Sequence, residues 1–311
     1  MDEQEKIQKA HLLPTPRIGG LGIFLASLFV FYEGKIGGLL ALSAIPAFIA
    51  GFIEDYSGKV SPLTRLAIMA LSPLMAVVMV QDAGWGLLLG SSVPEALTVC
   101  LLFLFIVAII NGMNFIDGQN GLASGSAVIA LAGISYLAYG VQDASLLFIC
   151  LVFLCSITAF LFFNFPFGRI FLGDGGAYFL GFLLAVLALL LLLRHPSLPP
   201  VFLFVLVAYP LTEVCFSSIR KLLVDRISPF NSDDDHLHQL VYRNHAQGRP
   251  FLPALLLLPV QAALLFLAIA FIHRPEILWL LLFGFVGVYC FVYFCERKLD
   301  HARKARVSLD E

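Results

Sequence analysis

From Leu183 to Leu193 the chain offers only leucine, alanine and valine, and several other stretches are nearly as apolar. A bilayer core about 30 Å thick takes about 20 such residues per helix. Ten stretches approach that length: 18–32, 36–53, 66–80, 97–110, 122–140, 145–163, 176–193, 199–217, 251–272 and 276–295. Strands that cross a membrane alternate in polarity, and the Leu183–Leu193 run does not. Backbone facing lipid must bond within its own segment, which leaves helices. Composition agrees, with 60% hydrophobic residues, 13% charged residues and a mean hydropathy of +0.93. Ordinary soluble domains carry about 25% charged residues. The expected fold is an all-α polytopic transmembrane bundle of about ten spans, a single domain over 1–311. A polar loop lies at about 218–249 and a short tail at 296–311.

Lysine and arginine orient such a bundle. With the N-terminus in the cytoplasm and strict alternation, 16 of the 19 basic residues fall inside; Lys35, Arg194 and Arg274 fall outside. Both termini are then expected in the cytoplasm. The net charge of −2 gives no basic surface for nucleic acid. The six cysteines form no Cys-x-x-Cys pair and read as apolar fillers of helices. Residues 1–17 are polar and mixed in charge, without the apolar core of a removable signal peptide.

The outside connectors, such as Glu33–Lys35, Val141–Ala144, Arg194–Pro199, His273–Pro275 and the longer Gln81–Glu95, are plain. The inside loops are not. They hold Pro14-Thr15-Pro16-Arg17-Ile18-Gly19-Gly20, Glu54-Asp55-Tyr56-Ser57-Gly58-Lys59, Asn111 to Gly121 with Asn114 and Asp117, Asn164 to Gly176 with Arg169 and Asp174, and Asp233-Asp234-Asp235-His236-Leu237-His238 before Arg243. Each feature alone has a bland reading: an aspartate at a helix end is usually a cap, and a Gly-Gly pair usually a loop. Together they crowd carboxylates, carboxamides, glycines and imidazoles onto one face. Carboxylates there suit Mg²⁺, which keeps waters and substrate phosphates as its other ligands. Glycines let backbone N–H groups approach phosphate oxygens.

In this order and on this face, the loops resemble those of the polyprenyl-phosphate N-acetylhexosamine-1-phosphate transferases, over about Lys6 to Arg249. That family includes the initiating enzymes of O-antigen and common antigen. The resemblance implies transfer of a sugar-1-phosphate from a UDP-N-acetylhexosamine to undecaprenyl phosphate, releasing UMP. It implies Asp174 as the ligand of Mg²⁺, with Mn²⁺ as an alternative. Asp55, Asp117, His236 and His238 stand at its catalytic positions. Asn111, Asn114, Lys59, Arg169 and Arg243 stand where the nucleotide and diphosphate would be held, Arg243 as a phosphate clamp. A homodimer is left open.

Three departures from the family pattern stand out. Glu54 replaces the first aspartate of an acidic pair, Asn120 stands where a second aspartate is common, and the family usually has one more helix before the opening loop. An inactive homologue is therefore a rival reading. A transporter or lipid flippase is another, although it predicts ionisable residues near the middle of spans. A CDP-alcohol phosphotransferase fails on its motif, because Gln119-Asn120-Gly121 follows Asp117-Gly118.

Overall fold

The computed structural model describes residues 15–79, 93–228, 231 and 233–310, the side chains of 79 and 306–310 excepted. Pro14, Lys6, Lys9 and most of the Gln81–Glu95 connector lie outside the described residues.

The described residues fold into helices: α1 (Gly19–Val30), α2 (Gly34–Ser57), α3 (Pro62–Met69), α4 (Leu71–Met79), α5 (Glu95–Ile116), α6 (Leu122–Gly140) and α7 (Ala144–Asn164). These are followed by α8 (Gly173–Arg194), α9 (Val201–Leu206), α10 (Ala208–Arg220), α11 (Leu237–Val241), α12 (Leu252–Ala270) and α13 (Pro275–Asp310). Seven stretches are long and apolar enough to cross a membrane, so the chain is a multi-pass all-α membrane protein.

The ten expected spans are not ten separate members of that set. The stretch Gly19–Ser57 holds the first two, joined through a 3-10 turn at Phe31–Glu33 and Gly34 at φ +64°. The expected span 66–80 is broken at Ala70 between α3 and α4, and 199–217 is broken at Val207 between α9 and α10. Proline explains both breaks. Pro73 and Pro210 lack the N–H that would bond to the carbonyls of Met69 and Leu206.

The most apolar run takes the centre. Every residue of α8 between Gly175 and Leu193 is buried, whereas the outer helices turn apolar side chains such as Phe266, Leu280 and Phe291 outward. Successive helices run between two ends. At one end Ser145 bonds Glu33, and Asp143, which caps α7 through Leu146 N–H, pairs with Arg194 at 3.1 Å and His195 at 3.0 Å. The inside loops singled out from the sequence gather at the opposite end.

Candidate active site

Small residues let the backbones meet there. Gly19 and Gly20 donate N–H bonds to the carbonyls of Phe171 and Leu172, both at 2.9 Å, and Phe171 N–H returns a bond to Pro16. A Cβ on Gly20 would lie 2.3 Å from Gly176 Cα, and one on Gly51 would lie 2.3 Å from the Asp174 carbonyl carbon. Helices α1 and α2 are thereby pressed against the start of α8. One turn beyond Gly51, Asp55 meets the open N-terminus of α8. Its Oδ1 accepts from Asp174 N–H at 3.0 Å and its Oδ2 from Gly175 N–H at 2.9 Å. These N–H groups have no partner within the helix, and the helix dipole favours the anion there. Asp55 thus holds the segment that carries Asp174.

The Asp174 side chain is three-quarters buried. It takes an ion pair from Arg65 of α3 at 3.1 Å, and the Asn114 side chain of α5 stands beside it. Arg65 also stands 3.9 Å from Glu54, and Arg17 stands 3.9 Å from Asp55. Asp117, just past the end of α5, lies close enough to Asp174 and Asp55 for their charges to act on it. Burial first, then those two carboxylates, push its carboxyl well above the usual range. Asp55, Asp117 and Asp174 therefore converge from the ends of α2, α5 and α8.

A metal suits this set in one particular way. Asp55 spends its oxygens on backbone N–H groups, which leaves Asp174 and Asp117 as donors. Among the described residues no group of three or more His, Cys, Asp or Glu side chains is arranged to hold an ion. One or two carboxylates, completed by waters and substrate phosphates, is the donor set Mg²⁺ uses in phosphoryl-transfer sites. The surplus of negative charge points the same way.

The histidine segment closes over the turn after α5. His238 is fully buried, its ring nitrogens have no hydrogen-bond partner, and a Cβ on Gly118 would lie 2.7 Å from its Nε2. A side chain at 118 would have to push that ring aside. Burial, aided by the charges of His236 and Arg243, drops the His238 pKa to about 3, so the ring is neutral. His236 is held by Glu213 of α10 at 2.9 Å on Nδ1, with Asp233 at 3.5 Å from Nε2 and the Phe115 ring at 5.0 Å. Arg220 pairs with Asp225 and Asp233, and the buried Lys221 bonds Asp233 at 2.9 Å.

Other residues singled out from the sequence stand apart. Asn111 donates to Val107 O within its own helix at 2.8 Å and faces Met69. Lys59 and Arg169 are exposed, Arg169 lying over the Phe167 ring at 5.4 Å; among the described residues neither pairs with a carboxylate. Arg243 is not brought to the cluster as a clamp. Asp300 at 3.1 Å, Asp235 at 3.0 Å and the Asp234 carbonyl at 2.5 Å engage its guanidinium, because the C-terminal helix reaches it first. The two departures in the loops have scaffold work: Glu54 Oε2 accepts from Val60 N–H at 3.0 Å, and Asn120 donates to Pro166 O at 2.9 Å. An ionised aspartate at 120 has no donor for that bond.

Arg65 and Glu213 were not among the site candidates. Glu213 carried a signal, a carboxylate inside the expected span 199–217, a costly placement that usually marks a partner; Arg65, one residue before the span 66–80, carried none.

Comparison with known proteins follows the same lines. The sequence profile of glycosyl transferase family 4 matches residues 38–192. A probable undecaprenyl-phosphate N-acetylglucosaminyl 1-phosphate transferase of Bacillus subtilis is 30% identical over 264 residues, covering 76% of this chain and 68% of that one. An undecaprenyl-phosphate alpha-N-acetylglucosaminyl 1-phosphate transferase of Yersinia pestis is 28% identical over 285 residues, 85% of this chain and 74% of that one. One of the same name from Thermotoga maritima is 27% identical over 247 residues, 79% and 74%.

Proposed function

The chain belongs to glycosyl transferase family 4, the polyprenyl-phosphate N-acetylhexosamine-1-phosphate transferases, and from that premise we propose that it moves N-acetylglucosamine-1-phosphate, or a close N-acetylhexosamine analogue, from a UDP-sugar to undecaprenyl phosphate. The observation that carries the reading is the meeting of Asp174, Asp117, Asp55, Arg65 and Arg17 where helices end at one membrane boundary. That boundary is assigned to the cytoplasmic face, since most lysines and arginines lie on its side. A lipid phosphate and a water-soluble nucleotide can meet only at such a place.

An oxygen of the acceptor phosphate attacks the sugar-proximal phosphorus of the donor. The new P–O bond forms as the bond to UMP breaks, and UMP leaves with the electron pair. A phosphate monoester has a second pKa near 6, so the acceptor is mostly a dianion at neutral pH and needs no strong base. Mg²⁺ held by Asp174 and Asp117 would neutralise the donor's diphosphate and the departing UMP. Arg65 keeps the Asp174 carboxylate aimed. Asp55 fixes the height of α8, and with it Asp174. Arg17, partly exposed and only loosely paired with Asp55, is available to a phosphate. His238, a buried neutral ring packed on Gly118, backs the turn that carries Asp117.

The test is direct. Membranes containing the protein are incubated with undecaprenyl phosphate, Mg²⁺ and a panel of labelled UDP-sugars, and UMP release and organic-phase label are measured. Transfer from UDP-N-acetylglucosamine is expected. No transfer from any donor, where a known initiating enzyme works, overturns the proposal and leaves the inactive-homologue reading.

A further inference from the structure

Helix α13 is longer than a membrane needs. Its 36 residues extend about 54 Å at about 1.5 Å per residue, against a hydrocarbon core of about 30 Å. The projecting end does not stand free in water. Glu296, Arg297, Asp300 and Arg303 fall on one stripe of the helix, and that stripe runs along the segment 225–245. Glu296 takes the Asn244 amide at 2.8 Å and His245 Nε2 at 2.9 Å. Arg297 bonds Asp225 at 3.0 Å and stands 3.8 Å from Asp235. Asp300 takes Arg243 at 3.1 and 3.3 Å, and Arg303 donates to the Arg243 carbonyl at 3.1 Å. The Asp300 side chain is only 8% exposed, unlike a solvated tail charge.

The segment needs such support. Among its described residues the regular structure is the five-residue helix α11 and, at its two ends, the short π turns Lys221–Asp225 and Tyr242–Ala246. Helices this short do not hold themselves in water. Its position over Asp117-Gly118 is therefore set from outside, by Glu213, Arg220 and Lys221 on one flank and by α13 on the other.

We propose that Asp300, with Glu296 and Arg297, is a positioning residue of the transfer site: the projecting end of α13 is a strut that fixes where His236 and His238 stand over the Asp117-Gly118 turn. The strut rests on the transferase reading for its effect on turnover, but not for its effect on the segment itself. It acts through Arg243 and Asn244 and does not touch the reacting groups. Loss of the strut lowers the share of molecules with the histidines in place, so donor binding weakens and the chemical step does not.

The experiment compares Asp300→Ala, Asp300→Glu and Glu296→Ala in the full chain, with Glu276→Ala at the far end of the same helix as control. Amide hydrogen exchange over Leu237–Ala246 reads the segment directly. In Asp300→Ala and Glu296→Ala, exchange there is expected to rise about tenfold, and KM for the UDP-sugar to rise about tenfold with kcat within about twofold. Asp300→Glu, which can still reach Arg243, restores both, and Glu276→Ala changes neither. Unchanged exchange in both alanine variants overturns the strut. Faster exchange with an unmoved KM overturns its link to the site. If the wild-type protein transfers from no donor, the transferase reading fails, and the exchange result alone decides whether α13 holds the segment.

Discussion

Asp55→Asn and Asp174→Asn remove the same charge from neighbouring groups, yet the structure assigns them different penalties. The two Asp55 oxygens each accept a backbone N–H at the start of α8, in a side chain only 7% exposed. Asparagine keeps one oxygen and turns an NH₂ group toward the other N–H, leaving a buried donor facing a donor. One charge-assisted bond is lost, one is weakened and one N–H is orphaned, a cost of about 2–4 kcal/mol. At about 2 °C per kcal/mol for a chain of this size, the thermal midpoint falls by about 4–8 °C. Asp174 gives up a partly exposed ion pair with Arg65, worth at most about 1 kcal/mol. Asp174→Asn is therefore expected to melt within about 2 °C of the wild type while losing transfer. The assay is thermal unfolding in detergent beside UMP release on the same preparations. An Asp55→Asn protein that melts with the wild type, or an Asp174→Asn protein that drops as far as Asp55→Asn, refutes the division of labour between them.

Three further outcomes follow from particular contacts. Gly51→Ala puts a methyl 2.3 Å from the Asp174 backbone; with backbone on both sides it should destabilise by about 3 kcal/mol or more, seen as loss of monodisperse protein in gel filtration. Asn120→Asp, although it restores the residue common in the family, removes the donor to Pro166 O and should lower stability by about 1–3 kcal/mol, read from the same melting assay; an unchanged midpoint contradicts the scaffold role. His238 titrates at about 3 in the folded chain and at about 6.5 when unfolded. The unfolded state therefore binds more protons between those values, and stability is present above about pH 6.5 and declines as pH falls toward about 3; His238→Gln should flatten that part of the stability profile.

The amino-acid sequence by itself determined the solvent of this protein and the face on which its chemistry sits. Runs such as Leu183–Leu193 can be satisfied only in helices within lipid, and the spacing of polar loops along alternating spans sorts Asp55, Asp117, Asp174 and His238 to one end without any contact being known. The division of the first stretch and the breaks at Ala70 and Val207 were harder to read, since they depend on single glycine and proline residues inside apolar runs. The tertiary structure alone decided which polar groups touch. That Asp55 caps α8, that Arg65 steers Asp174, that Arg243 is drawn to Asp300 and that Glu213 grips His236 all depend on which helix packs on which. Helices apolar on every side carry no face signal in their periodicity; close approaches at Gly20 and Gly51 bring residues distant in the chain within hydrogen-bond range.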